Sequence, residues 1–96
     1  MAESTRIQVH VPAVLRDRCA GAAELVLPAA VSVRAALEQI EQRYPSLYRS
    51  ICDETGAVRR HMNLFVNSSN VRDGEGLDTV LVPGDTVTIL PAVSGG

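Results

Sequence analysis

Few side chains in this sequence carry reactive groups, and their spacing narrows what they could do. Cys19 and Cys52 are the only thiols. They stand far apart with no CxxC partner, so the ligand count excludes a four-cysteine zinc site or an iron–sulfur cluster. They read as reduced, mostly buried cysteines. His10 and His61 lack partners at metal-ligand or acid–base spacing and read as surface or capping histidines. Asp73, Glu75 and Asp78 alternate with Gly74 and Gly76, but the EF-hand ligand pattern is absent. "DGEG" also lacks the Lys-Ser/Thr end of a phosphate-binding loop, so this stretch reads as a solvated loop. What remains is the ending "TVTILPAVSGG". An apolar strand passes Pro91 and runs through the short residues Ala92, Val93 and Ser94 into Gly95 and Gly96. There the reactive group is a backbone carboxylate on a residue without a Cβ.

The preceding elements must present that carboxylate. "RIQVHVP" alternates, with Ile7, Val9 and Val11 on one face and Gln8 and His10 on the other. "AELVLPA" is a second strand with Leu25 and Leu27 inward, joined to the first as a hairpin through a polar loop at "RDRCAGA". In "VSVRAALEQIEQRYP" the period changes. Val33, Ala36, Leu37 and Ile40 form one apolar stripe, Ser32 is the expected N-cap, and Pro45 closes the helix. "SLYRSI" extends it by one turn, with Leu47, Tyr48 and Ile51 packing back. A third strand places Met62, Leu64 and Val66 opposite Asn63 and Phe65. "NSSN" is turn chemistry, and Val71 starts a short returning strand. A glycine-rich loop, a turn around 77–80 and a Pro83-Gly84-Asp85 reverse turn lead to the last strand, 86–90, with Val87 and Ile89 on one face. Pro91, with no amide hydrogen, is expected to stop that strand from pairing further.

This order predicts an α+β fold. A mixed sheet of four to five strands carries one main helix on one face, in the β-grasp or ubiquitin-like arrangement. The body is expected over residues 1–91, with a flexible tail over 92–96. Apolar residues make up 46% of the 96-residue chain and charged residues 21%, which fits one small globular domain. Net charge is −2, and no basic block exceeds "RRH" at 59–61, so a nucleic-acid partner is not expected. The start "MAESTRIQVHV" lacks a signal-peptide pattern, and no apolar run approaches the roughly 20 residues of a membrane span. A soluble, cytoplasmic protein is expected. All nine basic residues are arginine, so the chain offers no side-chain amine for an isopeptide bond.

"NLFVNSSNVR" followed by "GLDTVLVPGDTVTILPAVSGG" resembles the ubiquitin-like sulfur-carrier family of MoaD, ThiS and CysO. The features are "VN" entering a polar turn, a "GD" turn, a "VTILPAV" strand and the final Gly-Gly. With "VPAVLR" near the start, the sequence most resembles the actinobacterial CysO branch, with Ser94 in place of an expected smaller residue. The resemblance implies a protein co-substrate rather than an enzyme, with no catalytic residues and no bound cofactor or metal. An E1-like adenylyltransferase/sulfurtransferase would use ATP and a sulfide source to convert the Gly96 carboxylate to a thiocarboxylate. Gly95, Ser94 and Val93 would thread the enzyme's channel. The CysO type implies cysteine biosynthesis. There a PLP-dependent cysteine synthase accepts the sulfur on an aminoacrylate, and a metalloprotease releases cysteine from the tail. Molybdopterin, thiamine thiazole and sulfur-containing natural products draw on the same tail chemistry. Conjugation through Gly96 to lysines of other proteins is the second reading, and a plain β-grasp binding module the third. A β-grasp ferredoxin is excluded by the cysteine count. Phe65, expected exposed on the sheet, and Arg59 with Arg60 are the candidate partner contacts.

Overall fold

The computed structural model describes residues 5–92. Alternation of apolar and polar residues builds the first hairpin. β1 (Arg6–His10) and β2 (Glu24–Pro28) pair antiparallel, with Ile7 opposite Leu27 and Val9 opposite Leu25. These four side chains are buried, while Gln8, His10, Glu24 and Val26 face outward. A shift of one residue would reverse every one of them, so burial locks the register. The connection is not the loop expected at "RDRCAGA" but a 3-10 helix over Ala13–Cys19. Leu15 N–H donates to Pro12 O at 2.9 Å to start it, and Ala20 reverses the chain at φ 60°. Cys19 plugs the core beneath, its thiol 3.6 Å from Arg16 O and 3.5 Å from Ala22 O. A single inward residue leaves no periodic signature in the sequence.

The helical stretch begins where expected. Ser32 Oγ accepts a hydrogen bond from Ala35 N–H at 3.1 Å and caps α1 (Val33–Arg43). The stripe Val33, Ala36, Leu37 and Ile40 is buried. "SLYRSI" forms more than one added turn. Pro45 closes α1 and also opens a second helix, α2 (Pro45–Ile51), because proline suits a first helical position whose N–H needs no partner. Leu47 and Ile51 are fully buried and Tyr48 is half-buried.

β3 (Met62–Val66), β4 (Ser69–Asn70) and β5 (Thr86–Pro91) complete a five-stranded mixed sheet in the order β2-β1-β5-β3-β4. β5 lies in the middle, parallel to β1 and antiparallel to β3. Both helices cover one face, which is the β-grasp arrangement. The short return strand is Ser69–Asn70; Val71 instead begins a 3-10 turn over Val71–Asp73 and is buried. Nineteen apolar residues form the core, and no polar or charged residue is buried among the described ones.

The "VN" and "GD" dipeptides meet in space. Asn67 sits at φ 55°, which asparagine tolerates better than most residues. Its Nδ2 donates to Asp85 Oδ1 at 3.0 Å, and its Oδ1 accepts from Thr86 N–H at 3.1 Å. Asp85 Oδ2 accepts from Val82 N–H at 2.9 Å, holding the turn in which Gly84 adopts φ 93°. The clasp ties the end of β3 to the start of β5. Removing it with Asn67→Ala is expected to lower stability by about 1–2 kcal/mol, read from the urea midpoint. Asn67→Gly should cost less, since glycine keeps the positive φ free of strain. Equal losses would show that the side-chain bonds, not the backbone conformation, carry the whole effect.

Candidate functional site at the root of the tail

β5 carries the chain out of the domain. Pro91 stands opposite Met62, and Ala92 N–H still donates to His61 O at 2.6 Å. Pro91 therefore does not end the pairing as expected. Proline removes only its own donor; the pairing with β1 has already stopped at Thr88, and toward β3 the next residue donates in its place. Val93, Ser94, Gly95 and Gly96, the expected working residues, lie outside the described residues.

A shallow groove of about 370 Å³ opens at the root, lined by Val14, Leu15, Arg18, Arg59, His61 and Pro91 among others. Among the described residues its lining contains two arginines and a histidine but no carboxylate. The expected contacts divide between this rim and the sheet. Arg59 is half-buried, and its Nε donates to Arg49 O at 2.8 Å, so part of its guanidinium is used to fasten the loop to α2. Arg60 is exposed. Phe65 does face away from the core, opposite Thr88 on β5. It is half-buried rather than exposed, because an aromatic ring lying on a twisted sheet is partly covered by its cross-strand neighbours. On the same outer face Val26 is 49% and Leu90 43% exposed, and His10 pairs with Glu24 at 3.1 Å. Phe65 thus lies on the outer sheet face and Arg59 at the groove beside the tail root.

The reactive side chains are disposed for structure. Cys52 is buried beside Tyr48, above a cavity of about 360 Å³ also bordered by Glu41, Asp53 and Arg59. Burial pushes its thiol up to about 11, against a partly opposing hydrogen bond with Tyr48. Cys19 and the Tyr48 hydroxyl shift the same way for the same first cause, burial. A protonated, enclosed thiol is a poor nucleophile. Asp53 is held below the usual carboxylate range by the hydroxyl and amide of Thr55, at 2.6 and 2.8 Å, and serves as a loop cap. Asp78 pairs with Arg34 at 3.1 Å. Among the described residues no group of three or more His, Cys, Asp or Glu could hold a metal ion, and no helix is long and apolar enough to cross a membrane.

The thiol shifts set a pH dependence. Above about 9 the unfolded Cys52 ionises, while the folded thiol keeps its proton to about 11. The unfolded state then binds fewer protons, so stability should fall as pH rises through that window. Urea midpoints from pH 8 to 11 test this, and Cys52→Ala should flatten the slope.

Two features escaped the sequence reading: the Ala92–His61 bond and Arg72, which gathers the carbonyls of residues around His61. An arginine following a turn carries no local sign of that role.

Comparison with known proteins follows the same outline. The chain matches the ThiS family over residues 9–96. It is 34% identical over 92 residues to the sulfur carrier protein CysO of Mycobacterium tuberculosis, covering 94% of this chain and 98% of that protein. It aligns with a chain in the crystal structure of the Amycolatopsis orientalis BexX/CysO complex at TM-score 0.83 and 31% identity, covering 94% of this chain and 99% of the other. Small archaeal modifier protein 1 of Methanosarcina acetivorans aligns at TM-score 0.79 and 34% identity, covering 99% and 100%.

Proposed function

The chain belongs to the ThiS family and is a CysO-like sulfur carrier rather than an enzyme, and on that premise we propose that its working group is the carboxylate of Gly96. An E1-like enzyme joins this carboxylate to the AMP of ATP, releasing pyrophosphate. A sulfide donor then attacks the carbonyl; a C–S bond forms, the C–O bond to AMP breaks, and a thiocarboxylate remains. A carboxylate alone is a poor acylating agent, and adenylation supplies the leaving group. The carrier binds no cofactor of its own, since ATP and sulfide are handled by the partner. Val93, Ser94 and Gly95 are short enough to thread a narrow channel, and Gly96 gives access to its carbonyl from all sides. Phe65, Arg59 and Arg60 are the proposed partner contacts.

The single observation that carries this reading is the near full-length similarity to CysO. It also supports cysteine biosynthesis in the cytoplasm as the destination. The sulfur would pass to a PLP-dependent cysteine synthase, with a metalloprotease releasing the product. Molybdopterin, thiamine thiazole and sulfur-containing natural products are the other acceptor routes. Intact mass after incubation with ATP, sulfide and the host's E1-like enzyme tests the carrier step. The expected gain is one oxygen replaced by sulfur, mapped to Gly96. An unchanged mass with an active enzyme would sink the reading.

A second reading rests on the similarity to small archaeal modifier protein 1. Conjugation through Gly96 to a lysine of another protein uses the same activation and differs only in the nucleophile. The chain has no lysine of its own, so it cannot extend chains on its own side chains. An adduct on another protein's lysine in place of the sulfur gain would favour this reading.

A further inference from the structure

We infer that Arg72 is a positioning residue for the tail: it grips the carbonyls flanking His61 and thereby holds the one carbonyl to which the tail root is tied. The inference rests on the carrier reading, because it concerns how the Gly96 carboxylate is offered to a partner.

The geometry is a relay of four links. Val71 is anchored in the core at 5% exposure. The next residue, Arg72, is oriented by its own N–H, which donates to Asn70 Oδ1 at 2.9 Å. Its Nη2 then lies 2.6 Å from Met62 O, 2.9 Å from Arg59 O and 3.5 Å from Arg60 O. One nitrogen carries two hydrogens, so Met62 and Arg59 receive the bonds and Arg60 sits at the margin. Residues 59–62 form a tight turn, closed by Met62 N–H donating to Arg59 O at 3.0 Å. The His61 carbonyl projects from the middle of that turn and accepts Ala92 N–H at 2.6 Å.

The ends of the turn are also held, by Arg59 N–H donating to Ile51 O at 2.8 Å, by Arg59 Nε donating to Arg49 O at 2.8 Å and by the buried Met62. The middle of the turn, Arg60 and His61, is exposed. Hydrogen bonds from a guanidinium are stronger than neutral ones, and a single arginine spans both ends of this turn. Loosening the turn frees the His61 carbonyl, and with it the last bond of the strand leading to the tail. Ala92 is the last described residue, so the direction in which it leaves the sheet sets where the tail begins.

The consequence for catalysis by the partner is specific. A partner that needs the tail leaving in one direction meets a competent carrier only part of the time. Apparent affinity falls with that fraction. Once the tail is seated, the partner's channel fixes its geometry, so the chemical step is untouched. Arg72 thus acts on KM and not on kcat.

The test uses the full chain with Arg72→Gln and Arg72→Lys. Amide exchange at Ala92 is followed by NMR, with Leu64 and Ile89 as core reporters. In parallel, thiocarboxylate formation is measured with the host's E1-like enzyme, ATP and sulfide at varied carrier concentration. For Arg72→Gln, exchange at Ala92 should quicken about tenfold, the equivalent of one net hydrogen bond, with Leu64 and Ile89 changing far less. KM should rise about five- to tenfold, with kcat unchanged. Arg72→Lys, whose ammonium can donate to the same carbonyls, should recover part of both effects. Unchanged exchange at Ala92 overturns the inference. So does a uniform acceleration at all three amides, which would mark a general loss of stability, and so does selective exchange with unaltered KM. Failure of the carrier reading is separately visible, because the unmodified chain would then gain no sulfur, and the exchange arm needs no partner.

Discussion

The Gly96→Val protein is expected to form no detectable thiocarboxylate while keeping its stability within about 0.5 kcal/mol of the parent. The two halves have different causes. Among the described residues the last core residue is Ile89, and none of the nineteen buried apolar side chains lies beyond it. A change at Gly96 removes none of these side chains and is expected to cost little stability. The activation step is intolerant for the opposite reason. On the proposed chemistry a carboxylate oxygen must reach the ATP α-phosphate and the carbonyl carbon must then meet a sulfur nucleophile, and a β-branched side chain on the adjacent carbon crowds both approaches. Misplacing a reacting atom by about 1 Å can cost about 100-fold, so crowding at this carbon is expected to be severe. Intact mass after the coupled reaction reads activity, and thermal unfolding reads the fold. Gly96→Ala should retain partial activity. A fully active Gly96→Val protein would place the chemistry elsewhere and leave a binding module.

The largest stability effect is expected at Leu64. It is 0% exposed in the middle of β3 and pairs with Ile89 on β5, facing the helices. Leu64→Ala removes buried methyl groups and leaves a cavity that a close-packed core refills only in part, at a cost of about 2–5 kcal/mol. A domain of this size has about 5–15 kcal/mol in total. The melting temperature should fall by about 8–40 °C at about 4–8 °C per kcal/mol. The control is the next residue. Phe65 is larger but half-buried on the other face of the sheet, so Phe65→Ala should cost less than Leu64→Ala despite removing more atoms. A reversed order would mean that β3 is in the other register. Phe65→Ala should also weaken partner binding if the outer face is a docking surface, which separates its two roles.

Both predictions rest on features legible before any coordinates. The alternation in "RIQVHV" and "MNLFV", the stripe Val33, Ala36, Leu37 and Ile40, and the cap Ser32 are local signals. Each depends on which side of one element faces water, and a period of 2 or 3.6 writes that directly into neighbouring residues. The Gly95–Gly96 ending and the "VN" and "GD" dipeptides were equally readable as a family resemblance. Their structural meaning was not. Asn67 and Asp85 are 18 positions apart and meet only because β5 lies beside β3.

The sequence by itself determined the main strands, the first helix and the buried face of each, and it pointed to the Gly96 carboxylate as the expected reactive group. These follow from chain chemistry and short-range periodicity. Only the tertiary structure decided that β5 runs between β1 and β3, that Ala13–Cys19 coils rather than loops, that Pro45 starts a second helix, and that the strand keeps its bond past Pro91 to Ala92. It alone brought Arg72 to the carbonyls around His61. Such contacts join backbone groups that every residue type carries, across gaps of many positions. No pattern of side chains records them, and packing the helices against one face of the sheet is what creates them.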